Sequence, residues 1–179
     1  MKTREVIIIF GKTGSGKSYH AKKIISGFSR VVILDPMAEY EGGLIFDDFE
    51  SLTNYYLENT PEDFKFICRF TNDMDINFLF KMLFEVKDLL LVCEEAEIYI
   101  SPFSKQGNFL RLIRYGRHSE ISLLLIARRT AELSKDVRAQ VTKLVSFEQT
   151  EPDDLANMEK LGLFELDNMG SFEYREITP

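Results

Sequence analysis

Short apolar runs alternate along the chain with longer segments in which hydrophobic residues recur at helical spacing. The apolar runs predict buried strands at residues 5–10, 31–34, 64–69, 89–93, 122–126 and 143–147. The segments with helical spacing predict helices at residues 18–26, 46–57, 75–84, 109–115 and 155–161. Because strands and helices alternate throughout, we expect an α/β fold with a doubly wound, mostly parallel sheet.

Glycines separate several of these elements, and no repeat, low-complexity tract or linker interrupts them. They stand at predicted helix ends and in one loop: Gly27, Gly42, Gly43, Gly116 and Gly162. Residues 101–107 are expected to form a further loop, and residues 164–177 an edge hairpin that turns at Met169 and Gly170. We therefore expect a single domain spanning residues 1–179.

The composition is that of a soluble globular chain, with 45% hydrophobic and 28% charged residues. A formal net charge of −7 argues against a protein that coats nucleic acid by bulk charge, although it is compatible with a local basic patch. Cys68 and Cys93 each fall in a predicted strand, so we expect buried thiols in a reducing cytoplasm rather than a disulfide. No apolar run approaches the length of a transmembrane helix, so we expect no membrane insertion.

The first predicted strand leads into a glycine-rich segment that opens the first predicted helix: Gly11-Lys12-Thr13-Gly14-Ser15-Gly16-Lys17-Ser18. The pattern G-x-x-x-x-G-K-[ST] in this context is a P-loop, whose backbone N–H groups and helix dipole bind a polyphosphate. Lys17 is expected to reach the β- and γ-phosphates, and the Ser18 hydroxyl to ligate Mg²⁺. We include Tyr19 in the nucleotide-binding set and place Lys12 and Thr13 at its rim. A glycine-rich turn that carries a lysine by chance is the alternative.

The strand predicted at residues 89–93 ends in two adjacent acids, Glu94 and Glu95. Acids at the end of a buried strand are costly unless they have cationic partners or a chemical role. Beside a P-loop, we assign Glu94 to Mg²⁺ through water and Glu95 to activation of the attacking water, a role worth about 10²–10⁴ in rate. The alternative is a solvated acidic helix start. Two further predicted strands separate this strand from the P-loop strand, and the Glu-Glu ending resembles the RecA-like, additional-strand P-loop ATPases.

Basic residues follow the acidic pair: Lys105, Arg111, Arg114, Arg117, His118, Arg128 and Arg129. Arg128 and Arg129 end a predicted parallel strand, which places them on the ligand side of the sheet. The earlier residues form either a solvated basic face or a functional one. The functional interpretation is a DNA-facing surface or an arginine finger that reaches a neighbouring subunit's γ-phosphate, worth about 10³–10⁵ in turnover.

Four segments resemble the HerA/FtsK superfamily, and the resemblance covers most of the chain, from residue 5 to about residue 147. Asp35-Pro36 with Glu39-Tyr40 resembles its D-P-x-x-E-Y signature, and Arg138-Ala139-Gln140 resembles its R-A-N. Residues 114–118 and 128–133 resemble R-x-G-R-x and Q-R-P-x-x-L. The chain departs from the pattern in three places: Glu94 replaces an Asp, Arg128 replaces the Gln that senses γ-phosphate, and Thr130 replaces a Pro.

This resemblance implies an ATPase that uses ATP and Mg²⁺, forms a homo-oligomeric ring (a hexamer or similar) and translocates double-stranded DNA. It implies catalytic roles for Lys17, Glu95, Arg117 and Arg128. The small size is most similar to viral genome-packaging ATPases, whose partner would be a capsid portal or another receptor protein in the host cytoplasm. The chain lacks room for the extra domains of HerA or FtsK, so partners are expected to read DNA sequence. Alternatives are a Zot-like phage assembly or secretion ATPase, a non-catalytic nucleotide-binding module and a small-molecule kinase.

Overall fold

The structure, a computed structural model, describes residues 4–100, 107–130 and 134–179. It has eight strands in the described residues: β1 (Val6–Phe10), β2 (Arg30–Leu34), β3 (Leu44–Phe46), β4 (Phe64–Cys68), β5 (Leu89–Cys93), β6 (Ile121–Ala127), β7 (Lys143–Ser146) and β8 (Arg175–Ile177). The α-helices there are α1 (Lys17–Ile25), α2 (Phe49–Asn59), α3 (Asp73–Val86), α4 (Glu97–Ile100), α5 (Gly107–Tyr115), α6 (Lys135–Arg138) and α7 (Pro152–Lys160). A 3-10 helix, Gly116–Ser119, joins α5 to β6.

The strands form one sheet in the order β3-β4-β2-β5-β6-β1-β7-β8. Every neighbouring pair is parallel except β7 and β8. The predicted α/β fold with a mostly parallel sheet is therefore confirmed. β6 lies between the P-loop strand β1 and the acidic strand β5, which is the additional-strand order expected from the sequence.

Helices cover both faces of the sheet, as a doubly wound fold requires. On one face, α2, α3, α5 and α7 contribute to a large apolar cluster that includes Leu52, Phe80, Phe109 and Met158. On the other face, α1 contributes Ala21 and Ile25 to a smaller cluster. Because these strands are parallel, their carboxyl ends lie together at one end of the sheet. There Glu94 follows β5 and Arg128 follows β6.

The observed elements differ from the predicted ones in several places. Phe46 belongs to β3, and α2 begins at Phe49 because the Asp48 side chain caps it by accepting a hydrogen bond from the Ser51 N–H at 2.7 Å. Asn72 caps α3 in the same way, so that helix begins before the predicted residue 75. The short helices α4 and α6 were not predicted. Residues 101–106, which include most of a predicted loop and Lys105, lie outside the described residues.

The predicted edge hairpin at residues 164–177 is wrong. That segment contains one strand, β8, and it pairs antiparallel with β7 rather than with another part of the tail. A partner strand from the existing sheet satisfies the β8 backbone better than a free two-stranded hairpin would. Cys68 and Cys93 are buried free thiols, as predicted. Among the described residues, no helix combines the length and the apolar character needed to cross a bilayer.

Candidate functional site: a phosphate loop facing acids and an arginine

The P-loop joins β1 to α1, and close backbone contacts explain two of its glycines. Gly16 is the N-cap of α1 at φ 111°, a conformation that side chains disfavour. A Cβ on Gly16 would lie 2.8 Å from the Phe172 ring. A Cβ on Gly11 would lie 2.7 Å from the Cβ of Phe147 and 2.8 Å from the Ser15 hydroxyl. The loop therefore has its observed shape only with glycine at these positions.

Lys17 lies over the P-loop. Its ammonium donates hydrogen bonds to the carbonyl oxygens of Gly11 at 2.7 Å and Lys12 at 3.0 Å. Burial lowers the pKa of Lys17, and the nearby Glu94 carboxylate opposes that shift. Phosphate oxygens could replace both carbonyls as partners of the ammonium, as the sequence predicts.

Two further observations fit a phosphate group in the loop. Ser15 is only 5% exposed, and its hydroxyl has no hydrogen-bond partner in the part of the chain that the structure describes. Glycine at the N-cap supplies no side-chain cap to α1, so the N–H groups of its first turn need another acceptor. An anion at this helix N-terminus would satisfy them. Of the two predicted rim residues, Lys12 has another partner, because its ammonium lies 2.5 Å from the Glu148 carboxylate.

The two residues assigned to Mg²⁺ line one cleft of about 70 Å³ with Thr13, Lys17, Glu39, Glu95 and Arg128. The Ser18 hydroxyl donates a hydrogen bond to Glu39 at 3.0 Å. Glu94 is only 7% exposed and accepts a hydrogen bond from the Tyr40 hydroxyl at 2.6 Å. Burial raises the pKa of Glu94 to about 7, although the Tyr40 hydrogen bond and Lys17 favour its charged form.

This donor set suits Mg²⁺ bound together with a nucleotide. No cluster of three or more His, Cys, Asp or Glu that could hold a metal occurs among the residues described. Mg²⁺ seldom needs such a cage, because it keeps several waters and binds through one or two carboxylates plus substrate phosphates. The Ser18 hydroxyl and the Glu94 carboxylate therefore have the chemistry to hold the ion beside a bound nucleotide.

A tight turn after β2 brings Glu39 into the cleft and places the buried Tyr40 against Glu94. The buried Asp35 carboxylate accepts hydrogen bonds from the backbone N–H groups of Glu39 at 2.8 Å and Tyr40 at 3.0 Å. The Arg69 guanidinium lies 3.8 Å from the same carboxylate. β2 and β5 are neighbours, so this turn lies beside Glu94. Neither Glu39 nor Tyr40 was predicted to have a role, although both belong to the D-P-x-x-E-Y signature.

Glu95 and Arg128, from the ends of the neighbouring strands β5 and β6, form an ion pair through one guanidinium nitrogen. This hydrogen bond raises the pKa of Arg128, which stays cationic. Glu95 itself has a positive φ of 50°, an uncommon backbone conformation for a side-chain-bearing residue. Glu97 accepts hydrogen bonds from the backbone N–H groups of Arg128 and, at 3.3 Å, Arg129. These contacts hold the first residues after β6 against the residues after β5.

The structure does not bring Arg117 together with the other predicted catalytic residues. It lies in the 3-10 helix before β6, whereas the cleft lies beyond the end of β6. Arg114 pairs with Asp136 at 2.7 Å, and Arg111 lies over the Phe84 ring at 5.4 Å. Arg117 therefore lies at the amino ends of the strands, whereas its own P-loop lies at their carboxyl ends.

Three solved structures illustrate the fold that this chain shares. The genome packaging NTPase B204 from Sulfolobus turreted icosahedral virus 2, in complex with AMPPCP, is 16% identical, with a TM-score of 0.79 over 97% of this chain and 92% of that one. VirB4 of Thermoanaerobacter pseudethanolicus is 15% identical, with a TM-score of 0.61 over 97% and 88%. The N-terminal domain of zonular occludens toxin from Neisseria meningitidis is 17% identical, with a TM-score of 0.53 over 82% and 78%.

B204 has also been solved with sulfate, AMP and ATP-gammaS. A search of curated proteins gave no match. A family model described as "Helicase HerA, central domain" matches residues 5–115, which is more than half of the chain. That range contains the P-loop, the Asp35 turn and the acidic pair. The chain therefore belongs to the family of the HerA helicase central domain, within the HerA/FtsK superfamily that its sequence resembles.

Proposed function

We propose that this protein is an ATP-hydrolysing motor that assembles into a ring, a hexamer or similar, and moves double-stranded DNA. The observation that carries the proposal is the shared cleft of Lys17, Ser18, Glu94, Glu95 and Arg128. A P-loop alone binds nucleotide, whereas a carboxylate beside it can activate water for hydrolysis. Family membership supports a motor, and the likeness in fold to the packaging NTPase B204 supports genome packaging as its task.

On this proposal, Lys17 leaves the loop carbonyls and binds the β- and γ-phosphate oxygens of ATP. Glu95 accepts a proton from the water that attacks the γ-phosphorus. The bond between this phosphorus and the bridging oxygen breaks, and ADP leaves with the bonding electrons. Bound Mg²⁺, held by Ser18 and by Glu94 through water, would neutralise charge on the phosphates.

Arg128 links phosphate binding to the activation of Glu95. In the free protein its guanidinium pairs with Glu95. The Glu95 oxygen that accepts this hydrogen bond is engaged with the guanidinium rather than with an attacking water. The γ-phosphate is a competing anion in the same cleft, and a guanidinium binds phosphate well. We infer that ATP draws Arg128 from Glu95 and thereby frees the carboxylate to accept a proton.

Arg117 lies at the amino ends of the strands and cannot reach a nucleotide bound at its own P-loop, which is at their carboxyl ends. We propose that it acts as an arginine finger on the γ-phosphate of a neighbouring subunit, which would make the ring necessary for full activity. The motor would then work in the cytoplasm, that of the host if the chain is viral or from a prophage. It would deliver DNA to a capsid portal or another receptor protein.

The decisive experiment measures ATP hydrolysis with and without double-stranded DNA, alongside Lys17→Ala as a control and with the oligomeric state recorded. The proposal expects hydrolysis that DNA stimulates and that Lys17→Ala abolishes. Hydrolysis that is indifferent to DNA would exclude a DNA motor and favour a Zot-like assembly or secretion ATPase. Absence of hydrolysis in every assembly state would exclude an ATPase.

A non-catalytic nucleotide-binding module is the second candidate. The pairing of Glu95 with Arg128 favours it, because the pair occupies the carboxylate that hydrolysis requires. This candidate predicts that ATP binds without turnover even in the assembled ring. It also predicts that Arg128→Gln, which restores the residue usual in the superfamily, gives a protein that hydrolyses ATP.

A further inference from the structure

The order of strands fixes the direction in which a nucleotide must lie across the P-loop. β1 stands between β6 and β7, and β5 lies beyond β6. The acids and Arg128, which suit the γ-phosphate and its metal, all lie on the β5–β6 side of the loop. The sugar and base must therefore leave the loop on the other side, toward β7, β8 and the chain between them.

Two exposed aromatic rings lie on that side, and we call Tyr19 and Phe172 the aromatic ledge. Tyr19 follows the last P-loop residue and is 70% exposed, and Phe172 is 60% exposed. Their ring centroids are 5.8 Å apart in an edge-to-face arrangement. The backbone N–H of Phe172 donates a hydrogen bond to the carbonyl oxygen of Ser15 at 3.1 Å. The ledge is thus attached to the P-loop itself.

Ring contacts of Tyr174 and a turn closed by Glu173 hold the segment that carries Phe172 in place. The Tyr174 ring lies 4.6 Å from His20 of α1 and 5.6 Å from Phe147, which follows β7. Glu173 closes a turn, because its carboxylate accepts a hydrogen bond from the Gly170 N–H at 3.0 Å. The Tyr174 ring therefore packs against His20 and Phe147, whereas the Phe172 ring is largely in solvent.

Phe172 also has a strained backbone. Its φ is +66°, which is an outlier for a bulky residue. Such strain persists only where the surrounding structure enforces it, and it concentrates at ligand sites. Here the enforced conformation places an apolar ring in water beside the phosphate loop. The ring contacts Tyr19 and Gly16 on one side and leaves the rest of its surface open to a ligand.

We propose that the aromatic ledge binds the base of the nucleotide, with the exposed face of Phe172 as the main stacking surface and Tyr19 at its side. This inference rests on the proposed binding of a nucleoside triphosphate at the P-loop. Stacking uses the π-face that every base has, so the ledge adds affinity for a base without distinguishing adenine from guanine. Affinity for the phosphates stays with the P-loop.

The test compares a ligand that has a base with one that lacks it. Dissociation constants for AMPPCP and for inorganic tripolyphosphate, both with Mg²⁺, are measured calorimetrically for the unaltered protein, Phe172→Ala, Phe172→Leu and Phe172→Trp. We expect the Ala and Leu variants to weaken AMPPCP binding roughly 5- to 100-fold. The Trp variant should retain binding, and tripolyphosphate should bind all four proteins within about twofold. Phe164→Ala is the matched control, because Phe164 is equally exposed but makes no hydrogen bond or ring contact with the P-loop or Tyr19 among the described residues.

Several outcomes overturn the inference. Unchanged AMPPCP binding in Phe172→Ala would do so, and so would an equal loss of tripolyphosphate binding, because Phe172 would then act through the shape of the loop. A Leu variant that binds like the unaltered protein would show that bulk rather than the ring matters. A protein that binds AMPPCP through Phe172 but never hydrolyses ATP would refute the ATPase and leave the ledge intact. A protein that binds neither ligand would refute both.

Discussion

Arg128 donates a hydrogen bond from its guanidinium to the carboxylate of Glu95, across the ends of two neighbouring strands. The residue that the superfamily usually has at the arginine position, glutamine, is uncharged and could not neutralise the acid in this way. The free protein therefore holds its predicted catalytic base as half of an ion pair.

Replacing Arg128 should separate its two proposed effects, which are pairing with Glu95 and contact with the γ-phosphate. Arg128→Ala frees Glu95 but removes the contact to γ-phosphate, so we expect kcat to fall about 10- to 100-fold with little change in ATP affinity. Steady-state hydrolysis and equilibrium binding check this. Arg129→Ala is the control, because Arg129 is exposed and donates to Glu97 from its backbone N–H, which the substitution keeps. A faster Arg128→Ala enzyme would mean that the arginine is purely inhibitory.

Glu95→Gln should bind ATP normally and hydrolyse it about 10²–10⁴ times more slowly, because the amide cannot accept a proton from water. Single-turnover kinetics with saturating ATP report this step directly. Glu58→Gln, an exposed change on α2, should behave like the unaltered protein. An undiminished rate in Glu95→Gln would remove this residue from the mechanism.

Glu94 should make the stability of the free protein depend on pH. Its pKa rises to about 7 in the folded protein from an ordinary 4.5, so the folded state holds a proton that the unfolded chain releases between these values. The free energy of unfolding should therefore fall as the pH rises through this window, by at most about 3 kcal/mol. Urea denaturation without nucleotide or Mg²⁺ measures this fall.

The matched variant for that measurement is Glu94→Gln, which has no charge to bury. Its free energy of unfolding should change less than that of the unaltered protein between about pH 5 and about pH 8. Equal pH dependence in the two proteins would show that Glu94 titrates normally. Tyr40→Phe should raise the upper limit of this pH range, which is the pKa of Glu94 in the folded protein, because the lost hydrogen bond favours the charged form of Glu94.

A trans-acting Arg117 predicts complementation between inactive subunits. Arg117→Ala and Lys17→Ala should each be inactive alone, whereas a mixture should regain activity at interfaces that combine an intact P-loop with an intact arginine. Hydrolysis measured across mixing ratios tests this. Arg111→Ala serves as the control, because Arg111 contacts Phe84 of its own chain. Failure to regain activity at any ratio would contradict the finger.

The central strands were predictable because parallel strands covered on both faces are continuous apolar runs. β5 was predicted with its observed bounds, and all five of its residues are buried. β3 was missed because it has three residues and exposes Leu44 and Ile45. β8 is Arg175-Glu176-Ile177, whose polar sequence conceals a strand that forms only because β7 offers it an edge.

The candidate site likewise contains residues that the sequence predicts and contacts that only the fold determines. Lys17 and Ser18 belong to a local motif, and Glu94 and Glu95 end an apolar strand, so the sequence alone predicted them. The contacts among these residues depend on which strands are neighbours. Tyr40 meets Glu94 because β2 lies beside β5, and Phe172 meets Gly16 because the tail returns to the loop. No local pattern contains that information.

A hydroxyl that gives its hydrogen to a carboxylate keeps both oxygen lone pairs for another ligand. Ser18 is in this state in the free protein, because Glu39 accepts its hydrogen and Asp35 holds the backbone of Glu39. Glu39 thus resembles the outer carboxylates that orient the ligands of other metal sites. The turn after β2 therefore sets the orientation of a side chain on α1, so Ser18 would offer a cation a ligand that is already preorganised.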